Sequence, residues 1–142
     1  MAPSMHAVVV GGTKGLGRVV AERFLQRGCA VTVLSRNRPQ ALDGICHVSV
    51  DLETLTDAAA LAQEVVVANG SVRYLVFCQR YRGNGDQWAG EFQVSLTATR
   101  LITESLADHF CDDGDRAQRL HASTEPSSTP DGRCASSHFR HI

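Results

Sequence analysis

The chain has 142 residues, of which 43% are apolar and 20% are charged, a composition that suits one folded domain and excludes a wholly disordered chain. Its formal net charge of -1 argues against nucleic acid as the main partner. No apolar run approaches the roughly 18 residues of a membrane span, the start of the chain is too short and uncharged for a secretory signal, and the five cysteines are scattered, so we expect a cytoplasmic protein without membrane contact or a disulfide framework.

Four short apolar segments predict the strands of a sheet. The first, from His6 to Val10, contains three consecutive valines, which is typical of a parallel strand covered on both faces. The other strands are predicted at residues 30–34, 47–50 and 74–78. Because these strands alternate with helical patterns over short connections, the sequence predicts an α/β fold with a doubly wound parallel sheet.

The first helix is predicted from Gly15 to Arg27. Gly28 follows at the position where a glycine commonly ends a helix. The apolar side chains of this helix recur at helical spacing and are expected to form one buried stripe: Leu16, Val19, Val20 and Phe24.

A second helix is indicated by apolar spacing from Leu55 to Val66, and Asn69-Gly70 closes it. The polar, glycine-bearing stretch 79–90 predicts a loop, in which Arg80, Tyr81 and Arg82 are expected to be solvated rather than to bind an anion. A last helix is predicted over residues 91–110.

Residues 111–142 have a different character, with many polar residues and almost no apolar periodicity, so we expect a disordered tail after a domain spanning 1–110. Cys134, His138 and His141 have spacings that a metal could use, but no second cysteine lies near Cys134. We therefore expect no metal site. His6 and His109 flank predicted elements and are expected at the surface.

A glycine-spaced turn joins the first strand to the first helix. Gly11, Gly15 and Gly17 form the pattern Gly-x-x-x-Gly-x-Gly. Backbone N–H groups of such a turn can reach a pyrophosphate, and the helix that follows presents its positive dipole end to that charge. Over about residues 6–110 the chain resembles the short-chain dehydrogenase/reductase family. The resemblance implies a Rossmann-like fold, here incomplete with about four strands, that binds a nicotinamide dinucleotide and carries out hydride transfer on carbonyl or alcohol substrates.

The end of the second predicted strand favours NADP(H) over NAD(H). An acidic residue there holds a ribose 2′-hydroxyl, whereas an arginine accommodates a 2′-phosphate. This chain has Ser35-Arg36 at that position, and Lys14 matches the basic position that NADP-preferring members of the family use for the same phosphate. Asp51-Leu52 resembles the family's pair beside the adenine, although Asp51 could equally cap the following helix.

The resemblance to the family indicates which residues form the candidate cofactor site. The resemblance implies that the cofactor-binding residues are Gly11, Thr13, Lys14, Gly15, Leu16, Gly17, Arg36, Asp51 and Leu52.

The segment after the fourth predicted strand departs from the family pattern. The family usually carries Asn-Asn-Ala-Gly there, and this chain has Phe-Cys-Gln-Arg at 77–80. Ser95 stands where the family has the asparagine of Phe-x-Val-Asn. The helix kink that accompanies this asparagine is therefore in doubt here.

The family's catalytic pattern is absent from the chain. The resemblance calls for a Tyr-x-x-x-Lys pair and a serine, but the only tyrosines are Tyr74 and Tyr81 and the only lysine is Lys14. No residue is therefore assigned as catalytic, and we expect no ordinary reductase turnover.

Three interpretations follow from the sequence. The first is an NADP(H)-binding domain of a short-chain oxidoreductase, in a truncated or frame-shifted copy of a longer reductase. The second is a non-enzymatic dinucleotide sensor or interaction protein. The third is a product that never folds stably. Self-association through the 91–110 helix is compatible with the first two.

Overall fold

The computed structural model describes residues 5–38 and 43–111. The predicted tail lies outside the described residues, apart from Cys111. Cys134, His138 and His141, which were considered for metal binding, also lie outside them. The elements are β1 (His6–Val10), α1 (Gly15–Gln26), β2 (Ala30–Ser35), β3 (Ile45–Ser49), α2 (Ala59–Asn69), β4 (Tyr74–Phe77), α3 (Gln87–Glu91), a π-helical segment (Phe92–Thr97), α4 (Ala98–Leu106) and a 3-10 turn (Ala107–His109).

The strands form a parallel sheet in the order β3-β2-β1-β4. All five residues of β1 are buried, because β1 has a strand on each side and helices above and below it. The predicted doubly wound α/β fold is confirmed. The chain crosses from the β2 side of β1 to the β4 side, so the carboxyl ends of the strands flank a crevice at this switch of direction.

Helices cover both faces of the sheet. On one face α1 packs through Ala21 against alternate strand residues such as Val9 and Val33. On the other face, α2 and α4 pack against a larger cluster that includes Leu34 and Ile102. The two-residue alternation of a strand divides the same valine-rich segments between these two cores.

The predicted buried stripe of α1 is wrong in its first turns. Leu16 and Val19 are 74% and 53% exposed, whereas Gly17 and Ala21 are buried. A Cβ atom added to Gly17 would lie 2.2 Å from the carbonyl oxygen of Gly11. The helix therefore approaches the sheet through its smallest residues, and this close approach turns the larger apolar side chains outward.

Two predicted boundaries also change. The second helix begins at Ala59 rather than near Leu55. Within the predicted loop at 79–90, Asp86 accepts hydrogen bonds from the backbone N–H groups of Trp88 and Ala89, at 2.9 Å and 3.1 Å, and starts α3. A side-chain cap of this kind satisfies the donors that a helix start leaves open, so α3 forms at the end of a polar stretch.

The helix irregularity questioned at Ser95 is present. The segment Phe92–Thr97, which contains Ser95, is π-helical, and single π-helical turns of this kind bend helices and are frequent at functional sites. The hydroxyl of Ser95 donates a hydrogen bond to the carboxylate of Glu91. Replacing the family's asparagine by serine therefore leaves an irregular turn in place.

β4 is paired on one side only along Tyr74–Phe77 in the described part of the chain. On its other side the chain returns to bridge Val72 with Phe110, with the Cys111 N–H donating to the Val72 carbonyl at 2.9 Å. β4 consequently remains partly exposed.

His6 is only 1% exposed, so its expected surface position is wrong. Its ring lies between Thr32 Oγ1, 2.8 Å from Nε2, and the Gly70 carbonyl, 2.9 Å from Nδ1. Because a carbonyl can only accept, Nδ1 carries the proton and Nε2 accepts from the threonine hydroxyl.

Candidate dinucleotide site

A cleft of about 230 Å³ lies at the carboxyl ends of the strands. Residues that follow each of the four strands contribute to its walls. They are Gly11, Thr13, Lys14, Leu34, Ser35, Arg36, Asn37, Val50, Asp51, Leu52, Glu53, Cys78, Gln79, Arg80, Tyr81 and Arg82, with Val94 from the π-helical segment.

The three glycines of the turn have different spatial roles. Gly11 has a φ of +79°, and a Cβ atom there would lie 2.9 Å from the backbone nitrogen of Gln79. Gly17 allows the close approach of α1 described above. A Cβ atom at Gly15 would meet nothing within 4 Å, and its φ is +56°. Gly11 and Gly17 thus pack the turn against its neighbours, while Gly15 faces open space that a ligand can enter.

The amino end of α1 is open to an anion. Lys14 precedes the helix in an extended conformation, its side chain makes no capping hydrogen bond, and the first turn of the helix contains no acidic residue. The first backbone N–H groups of a helix have no intrahelical acceptors and carry the positive end of the dipole. This geometry fits a phosphate group placed above Gly15.

The structure brings six of the nine candidate cofactor residues to the cleft: Gly11, Thr13, Lys14, Arg36, Asp51 and Leu52. The other three, Gly15, Leu16 and Gly17, do not line it. Leu16 is exposed on the outer side of α1, because the helix approaches the sheet through Gly17 and Ala21 instead.

Arg36 is engaged in an ion pair. Its Nη1 lies 3.3 Å from Oε2 of Glu53, and the two side chains are 60% and 36% exposed. Neighbouring Ser35 donates its hydroxyl proton to the Asn37 carbonyl at 2.7 Å. Arg36 is therefore the residue after β2 that can bind a ligand, because its exposed ion pair with Glu53 is weak and can be exchanged.

Asp51 does not cap α2, because Ala58 occupies the cap position of that helix. Its Oδ1 accepts from the Glu53 backbone N–H at 3.0 Å and so shapes a turn at the edge of the cleft. The capping alternative for Asp51 is wrong.

Gln93 holds the same wall of the cleft, a role that sequence reasoning missed. Its Nε2 donates to the carbonyls of Leu52 and Leu55 at 2.9 Å and 3.0 Å. These bonds join positions about forty residues apart, and no local spacing signals them.

Gln79 forms part of the cleft floor beside the glycine turn. Its Nε2 donates to Thr99 Oγ1 at 2.8 Å and to the Val94 carbonyl at 3.2 Å. Its Oε1 is buried and has no hydrogen-bond partner within residues 5–38 and 43–111. An unsatisfied buried acceptor of this kind costs roughly 1–3 kcal/mol, so a ligand hydroxyl or N–H that reached it would be favoured. Next to it, partial burial raises the pKa of the Cys78 thiol, which keeps this thiol neutral.

Comparison with known proteins identifies the fold and the family. The family model described as short chain dehydrogenase matches residues 5–118. The chain belongs to the short-chain dehydrogenase family. Members of this family bind a nicotinamide dinucleotide, either NAD or NADP.

Curated relatives and solved structures agree with this assignment. The chain is 34% identical to a cis-2,3-dihydrobiphenyl-2,3-diol dehydrogenase of Pseudomonas sp. (strain KKS102), over 49% of this chain and 28% of the relative. It is 25% identical to dehydrogenase/reductase SDR family member 4 of Caenorhabditis elegans, over 91% of this chain and 57% of that protein. The TT0495 protein of Thermus thermophilus superposes with a TM-score of 0.65 at 28% identity, over 75% of this chain and 50% of that one. The chain thus spans between 28% and 57% of the length of these relatives.

Neither a membrane span nor a metal centre is found among the residues that the structure describes. None of their helices has both the length and the apolarity needed to cross a bilayer. No three or more of their histidines, cysteines and carboxylates are grouped as metal ligands would be.

Proposed function

We propose that this chain binds NADP(H) in preference to NAD(H), as the cofactor domain of a short-chain oxidoreductase, and that it does not reduce carbonyl substrates by itself. The observation that carries the proposal is the cleft in which Lys14 and Arg36 face the same space as the glycine turn. When bound, the cofactor supplies or accepts a hydride, which is the chemistry of the family.

The residues of the cleft suit the parts of a dinucleotide. The glycine turn and the open start of α1 favour the diphosphate. Asp51 and Leu52 line the part of the cleft after β3, where the resemblance to the family implies the adenine. Gln79 lines the cleft beside the glycine turn, where a ribose hydroxyl that displaced its neighbours would find the buried Oε1 without a partner among the described residues.

NADP(H) is favoured by charge. No acidic side chain follows β2 directly to accept from a ribose 2′-hydroxyl, since Ser35 is bonded to Asn37 and the next residue is Arg36. A 2′-phosphate carries up to two negative charges and accepts paired N–H donors, which a planar guanidinium provides. The exposed pair with Glu53 is weak enough to be exchanged for that phosphate.

The test is fluorescence titration of the purified chain with NADPH and with NADH. We expect tighter binding of NADPH, and a loss of roughly tenfold or more of that preference in Arg36→Asp. Arg100→Asp is the matched control, because Arg100 lies on α4 and does not line the cleft. Equal affinities for the two coenzymes, or a preference that survives Arg36→Asp, would contradict the NADP(H) assignment.

The lack of turnover is proposed from missing side chains. General acid–base catalysis contributes roughly 10² to 10⁴-fold, and the chain carries no Tyr-x-x-x-Lys to provide it. With NADPH and a panel of aldehydes and ketones, we expect no oxidation above a protein-free control, while an active family member run in parallel shows the assay works. Turnover that depends on this chain would refute this part of the proposal.

The same absence favours a second candidate function, that of a non-enzymatic dinucleotide sensor. The NADPH titration and the turnover assay together distinguish it from an enzyme, because a sensor binds without oxidising the coenzyme.

We also propose self-association through the 91–110 helix, supported by the exposure of Phe92 and Leu96. The described cysteines are free, which supports a reducing, cytoplasmic setting.

A further inference from the structure

The cleft carries more positive charge than the proposed 2′-phosphate contact requires. Lys14, Arg36, Arg80 and Arg82 all line it, against the carboxylates of Asp51 and Glu53. Arg36 pairs with Glu53, while the two arginines that follow β4 have no carboxylate partner in the described part of the chain. Uncompensated cations facing one cleft favour an anionic ligand there.

These two arginines lie beside the glycine turn. The Cys78 N–H donates to the Val10 carbonyl at 2.8 Å, and the Gln79 nitrogen is 2.9 Å from where a Cβ atom on Gly11 would be. The backbone leaving β4 is thus packed directly against the start of the turn, and Arg80 is the next residue. Arg80 and Arg82 both belong to the lining of the cleft that Gly11 and Thr13 also line, and both are exposed to solvent.

The segment that carries the arginines is anchored by Tyr81. A Cβ atom at Gly83 or at Gly90 would lie 2.3 Å from atoms of the Tyr81 ring, so the ring fills the space that these two glycines leave. The Tyr81 hydroxyl accepts from the Gly85 N–H at 3.1 Å, and its backbone N–H donates to Oε2 of Glu91 at 3.3 Å. Arg80 and Arg82 therefore flank a fixed residue, which lowers the entropy cost of ordering them around a ligand.

We propose that Arg80 and Arg82 form an arginine clamp that binds the diphosphate of the dinucleotide together with the glycine turn. This role rests on the proposed function. The helix start and the backbone N–H groups of the turn bind the diphosphate, and the two guanidinium groups beside them add charge-assisted hydrogen bonds. The family's Asn-Asn-Ala-Gly, which corresponds to residues 77–80, has no cation at the position of Arg80, so this arginine distinguishes the chain from that pattern.

The clamp is tested with Arg80→Gln, Arg82→Gln and the double variant, titrated with NADH and with NADPH at several salt concentrations. Because the diphosphate is common to both coenzymes, we expect both affinities to fall about tenfold in the double variant at low salt. The difference from the unsubstituted chain should shrink as salt rises, since salt screens the lost charges. Arg100→Gln removes the same charge outside the cleft and is expected to bind like the unsubstituted chain.

The possible results separate the two proposals. If the unsubstituted chain binds neither coenzyme, the proposed function and the clamp fail together. If it binds and the double variant binds equally well, the clamp alone is overturned. A loss confined to NADPH, or one that is constant at all salt concentrations, also overturns the clamp, because the first points to the 2′-phosphate and the second to a structural defect.

A further substitution tests whether the Tyr81 ring positions the two arginines. Gly90→Ala improves helix propensity in α3, yet its new Cβ atom must displace the Tyr81 ring. We expect weaker coenzyme binding from this substitution in the unsubstituted chain and no further loss in the arginine double variant, because both changes disable one device. Equal losses in the two backgrounds would show that the tyrosine does not position the arginines.

Discussion

Arg36 has two potential partners, which compete for its guanidinium group. Its present partner, Glu53, competes with a 2′-phosphate. We expect Glu53→Gln to raise NADPH affinity by about 1.4- to fivefold, since an exposed ion pair contributes roughly 0.2–1 kcal/mol, and to leave NADH affinity nearly unchanged. Coenzyme titration measures both.

Glu64→Gln is the matched control for this change. Glu64 is exposed on α2 and does not line the cleft, so its substitution alters net charge without freeing Arg36. A gain for both coenzymes in Glu53→Gln, or a gain of the same size in Glu64→Gln, would mean that net charge rather than the release of Arg36 is responsible.

At the scale of elements, the strands were predictable and the contacts between loops were not. Runs such as Val8 to Val10 are short, apolar and bounded by glycine, and burial of both faces of a parallel sheet demands that pattern. The glycine turn was predictable too, because three glycines at fixed spacing meet local backbone requirements. Periodicity failed for Leu16, since the closest helix–sheet contact uses the smallest side chain, and a hydrophobic pattern cannot show which face is closest.

The site was predictable only where it depends on residues near in sequence. Thr13, Lys14 and Arg36 follow strands directly, so locating the strands located them. Gln93, which bonds to Leu52 and Leu55, and the ring of Tyr81 against Gly90 depend on how distant segments meet. For that reason the sequence predicted a solvated segment after β4, whereas contacts seen only in the structure support the proposed clamp.

The helical region 87–106 leads to a prediction about association. Trp88, Phe92 and Leu96 are 77%, 53% and 58% exposed and stand four residues apart, so that they share one side of successive turns. We expect the chain to form dimers through this stripe, and Leu96→Glu to shift it to monomer in light scattering after size exclusion. Val67→Glu, at an 83% exposed apolar position on α2, should leave association unchanged. A monomeric unsubstituted chain at about 100 µM, far above micromolar dimer affinities, would exclude this interface.

At the scale of the whole molecule, the buried His6 links stability to pH. Desolvation by burial lowers the pKa of His6 below its ordinary value of 6.5, although the hydrogen bond to the Gly70 carbonyl opposes this shift. The two groups that bond to the ring, the Thr32 hydroxyl and the Gly70 carbonyl, are neutral. Thr32 Oγ1 accepts a hydrogen bond from Asn69 Nδ2 and donates its own proton to His6. A second proton on the ring would place two donors against the threonine hydroxyl, and His6 has no carboxylate partner among the described residues to balance the buried charge.

The sign of the effect follows from where the proton binds. Between the lowered pKa of the folded state and 6.5, the unfolded chain binds more protons at this histidine than the folded chain does. The free energy of unfolding is therefore expected to be highest above pH 6.5 and to fall as the pH is lowered through that value. Urea denaturation at pH 7.5 and 5.5 measures the difference, in a window above the usual titration of carboxylates.

His6→Gln should separate this contribution from other titrations. Glutamine removes the titrating ring, so we expect lower stability at pH 7.5, by roughly 1–3 kcal/mol for the disrupted buried hydrogen bonds, together with a much smaller change between the two pH values. His109→Gln, at a partly exposed position after α4, should retain the pH dependence of the unsubstituted chain. If His6→Gln instead keeps the full pH dependence, the acid sensitivity of this fold arises elsewhere, and the burial of His6 does not set it.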